Sequence, residues 1–152
     1  MTRLARFLRH SRAERRLLAL AAVLHALVAI AVRLVPFGRV QFVLASAAAI
    51  APRMPEADDL EARVVQAVKS AASCLPGANC LTEALVAQCL LARYGRETTL
   101  CFGVARHRTD DRPFDAHAWL ERGGATVIGA RAIRYDPLHP PHSRCGPSPL
   151  PR

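Results

Sequence analysis

Residues 77–85, Gly-Ala-Asn-Cys-Leu-Thr-Glu-Ala-Leu, predict a turn that opens directly into a helix. Gly77 permits turn geometry, and Asn79 is a favourable N-cap because its side chain can accept a hydrogen bond from an unpaired backbone N–H. Cys80 then occupies the first helical position, where free N–H groups and the positive end of the helix dipole favour thiolate over thiol. The stretch therefore predicts either a nucleophilic cysteine or a small buried residue at a helix start.

The helix that follows this turn is predicted to carry one apolar stripe. Leu81, Leu85, Cys89 and Ala92 recur at intervals of three or four residues, which is the period of a helix with one buried face. Gly95 is typical of the position just beyond a helix C-terminus. We therefore expect the helix to end shortly before this glycine.

A second amphipathic helix is predicted upstream. Pro55 suits its first turn, and the acidic residues that follow suit the positive end of its dipole. Leu60, Val64, Val68 and Ala71 recur at helical spacing and form its core-facing stripe.

After these helices the apolar period changes to that of extended chain. Residues 98–105, TTLCFGVA, predict a buried strand, and residues 114–121, FDAHAWLE, alternate as a second strand does. The pair Gly123-Gly124 predicts a hairpin turn, with 125–128 as the return strand. The chain is therefore predicted to be an α+β protein, with helices packed on a small antiparallel sheet.

Positive charge is concentrated in the N-terminal third. The 152 residues carry a formal charge of +9, and residues 1–53 alone hold nine arginines against one acid. The remaining chain is nearly neutral and has few aromatic residues among its basic ones, which argues against a nucleic-acid partner. An acidic peptide, an anionic membrane surface or a partner protein would suit the basic segment.

The same N-terminal third is strongly apolar. Residues 1–16 resemble a basic amphipathic helix, and the apolar runs 17–32 and 41–51 follow it. Two buried or partner-facing helices are the first interpretation. A peripheral, re-entrant or marginal membrane contact is the second, since 16 apolar residues fall short of the roughly 20 that span a bilayer. A signal peptide cleaved at Ala45-Ser46-Ala47 is the third.

The cysteines do not predict a metal site or a disulfide scaffold. Their number is odd and no pair has the CxxC spacing. Free thiols in a reducing cytoplasm are therefore expected. Residues 137–152 hold six of the eleven prolines and predict a loose tail. His139, His142 and Cys145 lie in that tail, which offers no rigid frame for a metal.

Cys80 and His117 are the candidate reactive pair. A cysteine nucleophile needs a histidine that keeps the thiol ionised and then protonates the departing amine. Backbone N–H groups at the helix start can stabilise the oxyanion that forms. His117 lies on a predicted strand downstream of the Cys80 helix, in a position that suits this role.

Two sequence blocks carry a family resemblance. "PGANCLTEALVAQCLLARYGRETTLCFGVA" and "FDAHAWLERGGATVIGA", in this order, resemble the transglutaminase-like superfamily. They are more closely similar to the leader peptidases of lasso-peptide biosynthesis, the family that includes the microcin-processing peptidase. The similarity covers roughly residues 55–138, and the Arg-flanked apolar N-terminus is also like that family.

This resemblance implies a transglutaminase-like/papain-like cysteine protease fold with Cys80 as nucleophile and His117 as general acid and base. The implied reaction hydrolyses the bond between leader and core of a ribosomally made precursor peptide. A separate leader-recognition protein and a macrolactam cyclase are the implied partners, and no cofactor or metal is expected. The implied organisation is a helical segment at 1–53, a catalytic domain at 54–136 and the tail at 137–152.

The predicted hairpin register leaves the third member of the site open. A two-residue Gly-Gly turn pairs Leu120 with Val127 and places His117 opposite Ala130, whose side chain cannot orient an imidazole.

Three groups are candidates to hold the ring. Asp136 follows in the chain order of the family and is the first choice. Asp115 shares a strand face with His117, and a backbone carbonyl is the third option. The missing acid also favours a second hypothesis, a non-catalytic scaffold or adaptor that binds the cyclase or a membrane. A third hypothesis is an acyltransferase that passes the acyl group to an amine.

Overall fold

The computed structural model describes residues 11–50, 59–106, 114–131 and 135–138. The helices are α1 (Arg12–Leu34), α2 (Phe37–Ile50), α3 (Leu60–Ala72) and α4 (Cys80–Arg93). The strands are β1 (Thr99–Arg106), β2 (Phe114–Arg122), β3 (Ala125–Ile128) and β4 (Asp136–Pro137). The predicted α+β class is confirmed: helices pack on one small antiparallel sheet.

Helix α4 is the centre of the packing. It contacts α1, α2 and α3 on one side and strand β2 on the other. Leu85 and Cys89 are buried as the stripe predicts, but Ala92 is exposed, whereas Val86 and Leu90 are fully buried. The single stripe was therefore too narrow a prediction, because elements pack around most of this helix.

Helix α3 follows its predicted pattern. Leu60, Val64, Val68 and Ala71 are all buried, so the predicted stripe is confirmed. The predicted role of Pro55 in its first turn lies outside the described residues. The helix contacts both α1 and α4, which explains why one side of it is apolar.

The four strands lie in the order β3-β2-β1-β4, all antiparallel. One face of the sheet, with Leu100 and Leu120, joins the core beneath the helices. The opposite face carries a smaller buried cluster that includes Trp119 and Tyr135. Since neighbouring residues of a strand point to opposite faces, His117 shares the face of Trp119.

The hairpin between β2 and β3 departs from the predicted register. The Gly-Gly turn pairs Arg122 with Ala125 as expected, but Leu120 pairs with Ile128 and not with Val127. A β-bulge at this point puts one extra residue into β3, which shifts every later position by one. The prediction was wrong here because turn residues fix only the first pairs of a hairpin.

Helix α1 joins the last residues of the basic segment, from Arg12 onward, to the apolar run 17–32 in one continuous helix. It begins at Arg12 behind a Ser11 N-cap, whose side chain accepts a hydrogen bond from the Glu14 backbone, and the first ten residues lie outside the described part. It packs on α3 and α4, and it is long and apolar enough to cross a membrane. The predicted division at residue 53 falls outside the described residues and stays a prediction.

The tail and the cysteines differ in part from expectation. Pro137 pairs with Gly103, and the backbone N–H of Leu138 donates to the carbonyl of Phe102 at 2.8 Å, so the predicted tail begins as a sheet strand. His139, His142 and Cys145 lie outside the described residues. Cys74, Cys80 and Cys89 form no disulfide, whereas Cys101 is disulfide-bonded. The prediction of free thiols throughout was therefore wrong.

Candidate active site

The start of α4 is held by a reciprocal capping box. The side-chain oxygen of Asn79 accepts from the backbone N–H of Thr82 at 3.0 Å, and the Thr82 hydroxyl accepts from the backbone N–H of Asn79 at 3.0 Å. The predicted N-cap and the placement of Cys80 as the first helical residue are confirmed. The box fixes the first turn, and the half-buried Cys80 side chain with it.

A buried histidine from α1 supports this box. The Nε2 of His25 lies 3.0 Å from the Thr82 hydroxyl, and both residues are fully buried. The hydroxyl donates to the Asn79 carbonyl, so it accepts from His25, and Nε2 carries the proton. Burial lowers the pKa of His25, which keeps the ring neutral. No local sequence pattern predicts this contact, because the two residues are 57 positions apart.

His117 is positioned by strand β2 and by a backbone carbonyl. Its ring is almost fully buried, and Nε2 lies 2.5 Å from the Gly129 carbonyl oxygen. A carbonyl only accepts, so Nε2 is the protonated nitrogen. Nδ1 is buried and has no hydrogen-bond partner among the described residues. That nitrogen is therefore the one left to exchange a proton with a neighbouring group.

The neighbouring group is the thiol of Cys80. Its interaction with His117 is the largest of the influences that lower the pKa of Cys80, and the Ala118 backbone N–H lowers the pKa further against the opposing effect of burial. The contact is loose rather than a fully formed hydrogen bond, since Nδ1 lacks a partner with hydrogen-bond geometry. Such looseness is common in sites without substrate.

The imidazole responds in the complementary sense. Burial is the largest single influence and lowers the pKa of His117, but the interactions with Cys80 and with the Gly129 carbonyl together raise it above its ordinary value. A thiol whose pKa is lowered beside an imidazole whose pKa is raised favours the thiolate–imidazolium pair.

Gly129 is a site residue that no sequence motif predicts. Its φ of +92° is favourable only for glycine, and an added Cβ would lie 2.8 Å from Cβ of Trp119 and 3.1 Å from the carbonyl oxygen of Ala118. The bulge and this backbone turn bring the carbonyl to the ring. The only sequence signal is a glycine directly after a predicted strand.

The structure does not bring the two candidate aspartates to the imidazole nitrogens. Asp136 is exposed and pairs with Val104, one position along β1 from Gly103, the partner of His117. Alternation along the strand therefore places Asp136 on the opposite face of the sheet.

Asp115 is engaged elsewhere. Its Oδ2 accepts from the hydroxyl of Tyr135 at 2.6 Å and lies 3.7 Å from Nη1 of Arg131. Of the three candidates, the backbone carbonyl is the group in contact with His117.

Two aromatic rings cover the inner side of His117. Trp119 is stacked at a centroid distance of 6.0 Å, and Tyr135 lies at 4.8 Å. Both rings are fully buried, and Nε1 of Trp119 donates to Glu121 at 2.7 Å. Because both rings are fully buried, they keep water from the part of the imidazole beside them, which strengthens electrostatic interactions at the ring.

The pair opens on a small cleft of about 150 Å³. Its lining includes Cys80, His117, Gly129, Ala130, Lys69, Glu83 and Arg131. Burial raises the pKa of Glu83, although the nearby cations oppose the effect. The described residues contain no group of three or more His, Cys, Asp or Glu that could hold a metal.

A thiol at a helix start, faced by an imidazole from an antiparallel sheet, defines a papain-like or transglutaminase-like arrangement. The chain belongs to the transglutaminase-like superfamily, whose family model matches residues 24–139. The match includes both members of the pair and also His25. No curated protein and no solved structure matches the chain.

Proposed function

We propose that the protein is a cysteine peptidase that removes the leader from a lasso-type precursor peptide. The observation that carries the proposal is the thiol of Cys80, with its lowered pKa, beside the unpartnered Nδ1 of His117 at the edge of an open cleft. The superfamily includes cysteine peptidases and acyltransferases. The two sequence blocks similar to lasso leader peptidases support the narrower assignment.

In the proposed reaction Nδ1 of His117 takes the proton of the Cys80 thiol. The thiolate sulfur attacks the carbonyl carbon at the leader–core junction and forms a tetrahedral oxyanion. In the first turn of α4 the Thr82 N–H donates to the Asn79 side chain, whereas the N–H groups of Cys80 and Leu81 have no acceptor within the helix and can donate to that oxygen. The Gly129 carbonyl keeps the other ring nitrogen protonated throughout.

Collapse of this intermediate breaks the C–N bond. The imidazolium gives its proton to the departing nitrogen, which becomes the new amino terminus of the core peptide. The leader remains as a thioester on Cys80. His117 then removes a proton from water, the hydroxide attacks the thioester, and the thiol and a leader carboxylate are released.

The proposed reaction involves several proteins. A separate leader-recognition protein would deliver the precursor, and a macrolactam cyclase would use the freed amino group. The charged side chains of Lys69, Glu83 and Arg131 line the cleft and would contact residues near the cleaved bond.

A scaffold without catalytic activity is the second candidate. The observation that favours it is the carbonyl of Gly129 in place of a carboxylate at Nε2 of His117, since a neutral acceptor stabilises an imidazolium less than an anion does. An acyltransferase would share the thioester but resolve it with an amine.

Cleavage by the full chain distinguishes these candidates. The precursor is incubated with its leader-recognition and cyclase partners, and the products are weighed by mass spectrometry. Cys80→Ala should leave the precursor intact, whereas Cys74→Ser, which alters an exposed cysteine outside the cleft, should cleave normally. Normal cleavage by Cys80→Ala would refute the peptidase. A leader whose mass includes an added amine in place of water would identify the acyltransferase.

A further inference from the structure

Helices α1 and α2 leave a large apolar surface uncovered. Among the described residues, eight of the ten large hydrophobic side chains that are exposed lie between residues 23 and 50. Four of them, Val23, Leu27, Ile30 and Leu34, lie on α1. The others are Val35, which follows α1, and Phe42, Val43 and Ile50 on α2. We call this set the α1–α2 face. Exposed apolar side chains in this number on two helices that contact each other mark an interaction site.

The exposed residues of α1 form one continuous stripe. Val23, Leu27, Ile30 and Leu34 follow one another at intervals of four, three and four residues and are each more than half exposed. The opposite side of the same helix is buried against α3 and α4, and it includes His25. The helix therefore has one protein-facing and one bare apolar side.

The charged residues nearest in sequence to the two ends of the stripe are arginines. Arg16 lies near one end of the stripe and Arg33 near the other, and both are exposed. Between Glu14 and Glu56 the sequence contains five arginines and no acidic residue. Long basic side chains at both ends of an apolar stripe can reach anionic groups while the stripe itself is covered.

These features fit a lipid surface better than a protein partner. A protein interface combines apolar contacts with polar residues that form hydrogen bonds. The α1 stripe offers aliphatic side chains over more than ten residues, with cations only at its ends. That is the pattern of an interfacial helix on an anionic bilayer.

We propose that the α1–α2 face docks the protein on an anionic lipid bilayer, with α1 lying along the surface and not across it. Spanning would pull the buried side of α1 away from α3 and α4 and break the His25–Thr82 hydrogen bond. A surface orientation keeps these contacts and covers only the bare side. The proposal concerns binding alone, so it stands or fails independently of the peptidase activity.

Vesicle flotation of the full chain tests the proposal. The vesicles contain either phosphatidylcholine alone or phosphatidylcholine with phosphatidylglycerol. The test variant is the double substitution Leu27→Glu with Ile30→Glu, which places two anions on the stripe. The matched control is Phe114→Glu, an equally exposed apolar residue on the sheet. Fluorescence of Trp119, the single tryptophan and fully buried, reports whether each variant is folded.

The wild type should float with the anionic vesicles, less with the neutral ones, and less again at high salt. The double variant should bind at least about tenfold more weakly while keeping its Trp119 emission, and Phe114→Glu should bind like the wild type. No flotation of the wild type, or equal flotation of wild type and folded double variant, would overturn the proposal. So would a stable dimer that ignores vesicles and that the double variant dissociates, since a second copy would then cover the face.

Discussion

Cys80 and His117 meet at one cleft but are held there by different kinds of structure. Cys80 is fixed by a box that closes within four residues, from Asn79 to Thr82. His117 is fixed by the carbonyl of Gly129, which reaches it only because a bulge and a left-handed glycine redirect the chain after β3. The capping box, which we call the local support, forms between residues that are adjacent in sequence. The Gly129 carbonyl, which we call the distant support, reaches His117 only through the pairing of β2 with β3.

Removing the imidazole of His117 should lower the rate of leader cleavage more than any other substitution considered in this comparison. His117→Ala leaves the Cys80 thiol without its proton acceptor, and we expect leader cleavage to fall about 10²–10⁴-fold. Mass-spectrometric time courses with the partner proteins measure the rate. Trp119 emission serves as the folding control. A variant that stays folded and cleaves at the wild-type rate would show that His117 has no part in the reaction.

Gly129→Ala should have the next largest effect on cleavage, because it disturbs the distant support, the contact of the Gly129 carbonyl with His117. The new Cβ would meet Trp119 at 2.8 Å in a backbone conformation that alanine disfavours. We expect a loss of about 1–3 kcal/mol in the free energy of unfolding and a fall in cleavage. Urea denaturation and the same cleavage assay measure the two effects.

Gly124→Ala is the matched control for that substitution. Its φ is also positive, at +82°, but nothing lies within 4 Å of the added Cβ. It should cost some stability through backbone strain while cleavage persists. Equal cleavage rates in the two folded variants would argue against a role for the Gly129 carbonyl.

Thr82→Val should have a smaller effect, on the local support. It removes the hydroxyl that bonds both Asn79 and His25, and we expect about 1–2 kcal/mol of lost stability. Thr82→Ser keeps the hydroxyl and should therefore retain most of the stability that Thr82→Val loses. Thermal unfolding compares the two. A Val variant as stable as the Ser variant would mean that the box does not fix the start of α4.

The comparison also explains what could be predicted from the sequence. The N-cap, the position of Cys80, the strand of His117 and the Gly-Gly turn follow from residues within a few positions of one another. The bulge in β3 does not follow from nearby residues. The alternation of apolar residues along β2 and β3 is compatible with the regular register and with the bulged one, so the sequence pattern does not distinguish the two. The His25–Thr82 contact depends on which sides of α1 and α4 meet, and nothing local specifies that.

Asp136→Asn should have the smallest effect of the substitutions. Asp136 is the first choice from the sequence to orient His117, but in the structure the Gly129 carbonyl lies at Nε2 of the ring. We expect cleavage within about twofold of the wild type, since surface substitutions away from a site are usually near neutral. A loss comparable to that of His117→Ala would restore the aspartate to the site.

The shifted pKa values also predict how activity depends on pH. Because the pKa of Cys80 is lowered, the thiolate forms below the usual range of a thiol, and activity should rise there as pH increases. Because the pKa of His117 is raised, the imidazolium persists above its usual range, and activity should fall only as pH passes that raised value. The rate of cleavage measured across neutral pH should therefore follow a bell-shaped curve.

The most direct measurement of the pair is the pH dependence of Cys80 alkylation by iodoacetamide in the Cys74→Ser background, with labelling at Cys80 followed by peptide mass. The account predicts a transition clearly below the free-thiol value of about 8.5, which moves back up in His117→Ala. A wild-type transition at the free-thiol value that His117→Ala leaves unchanged would contradict the account.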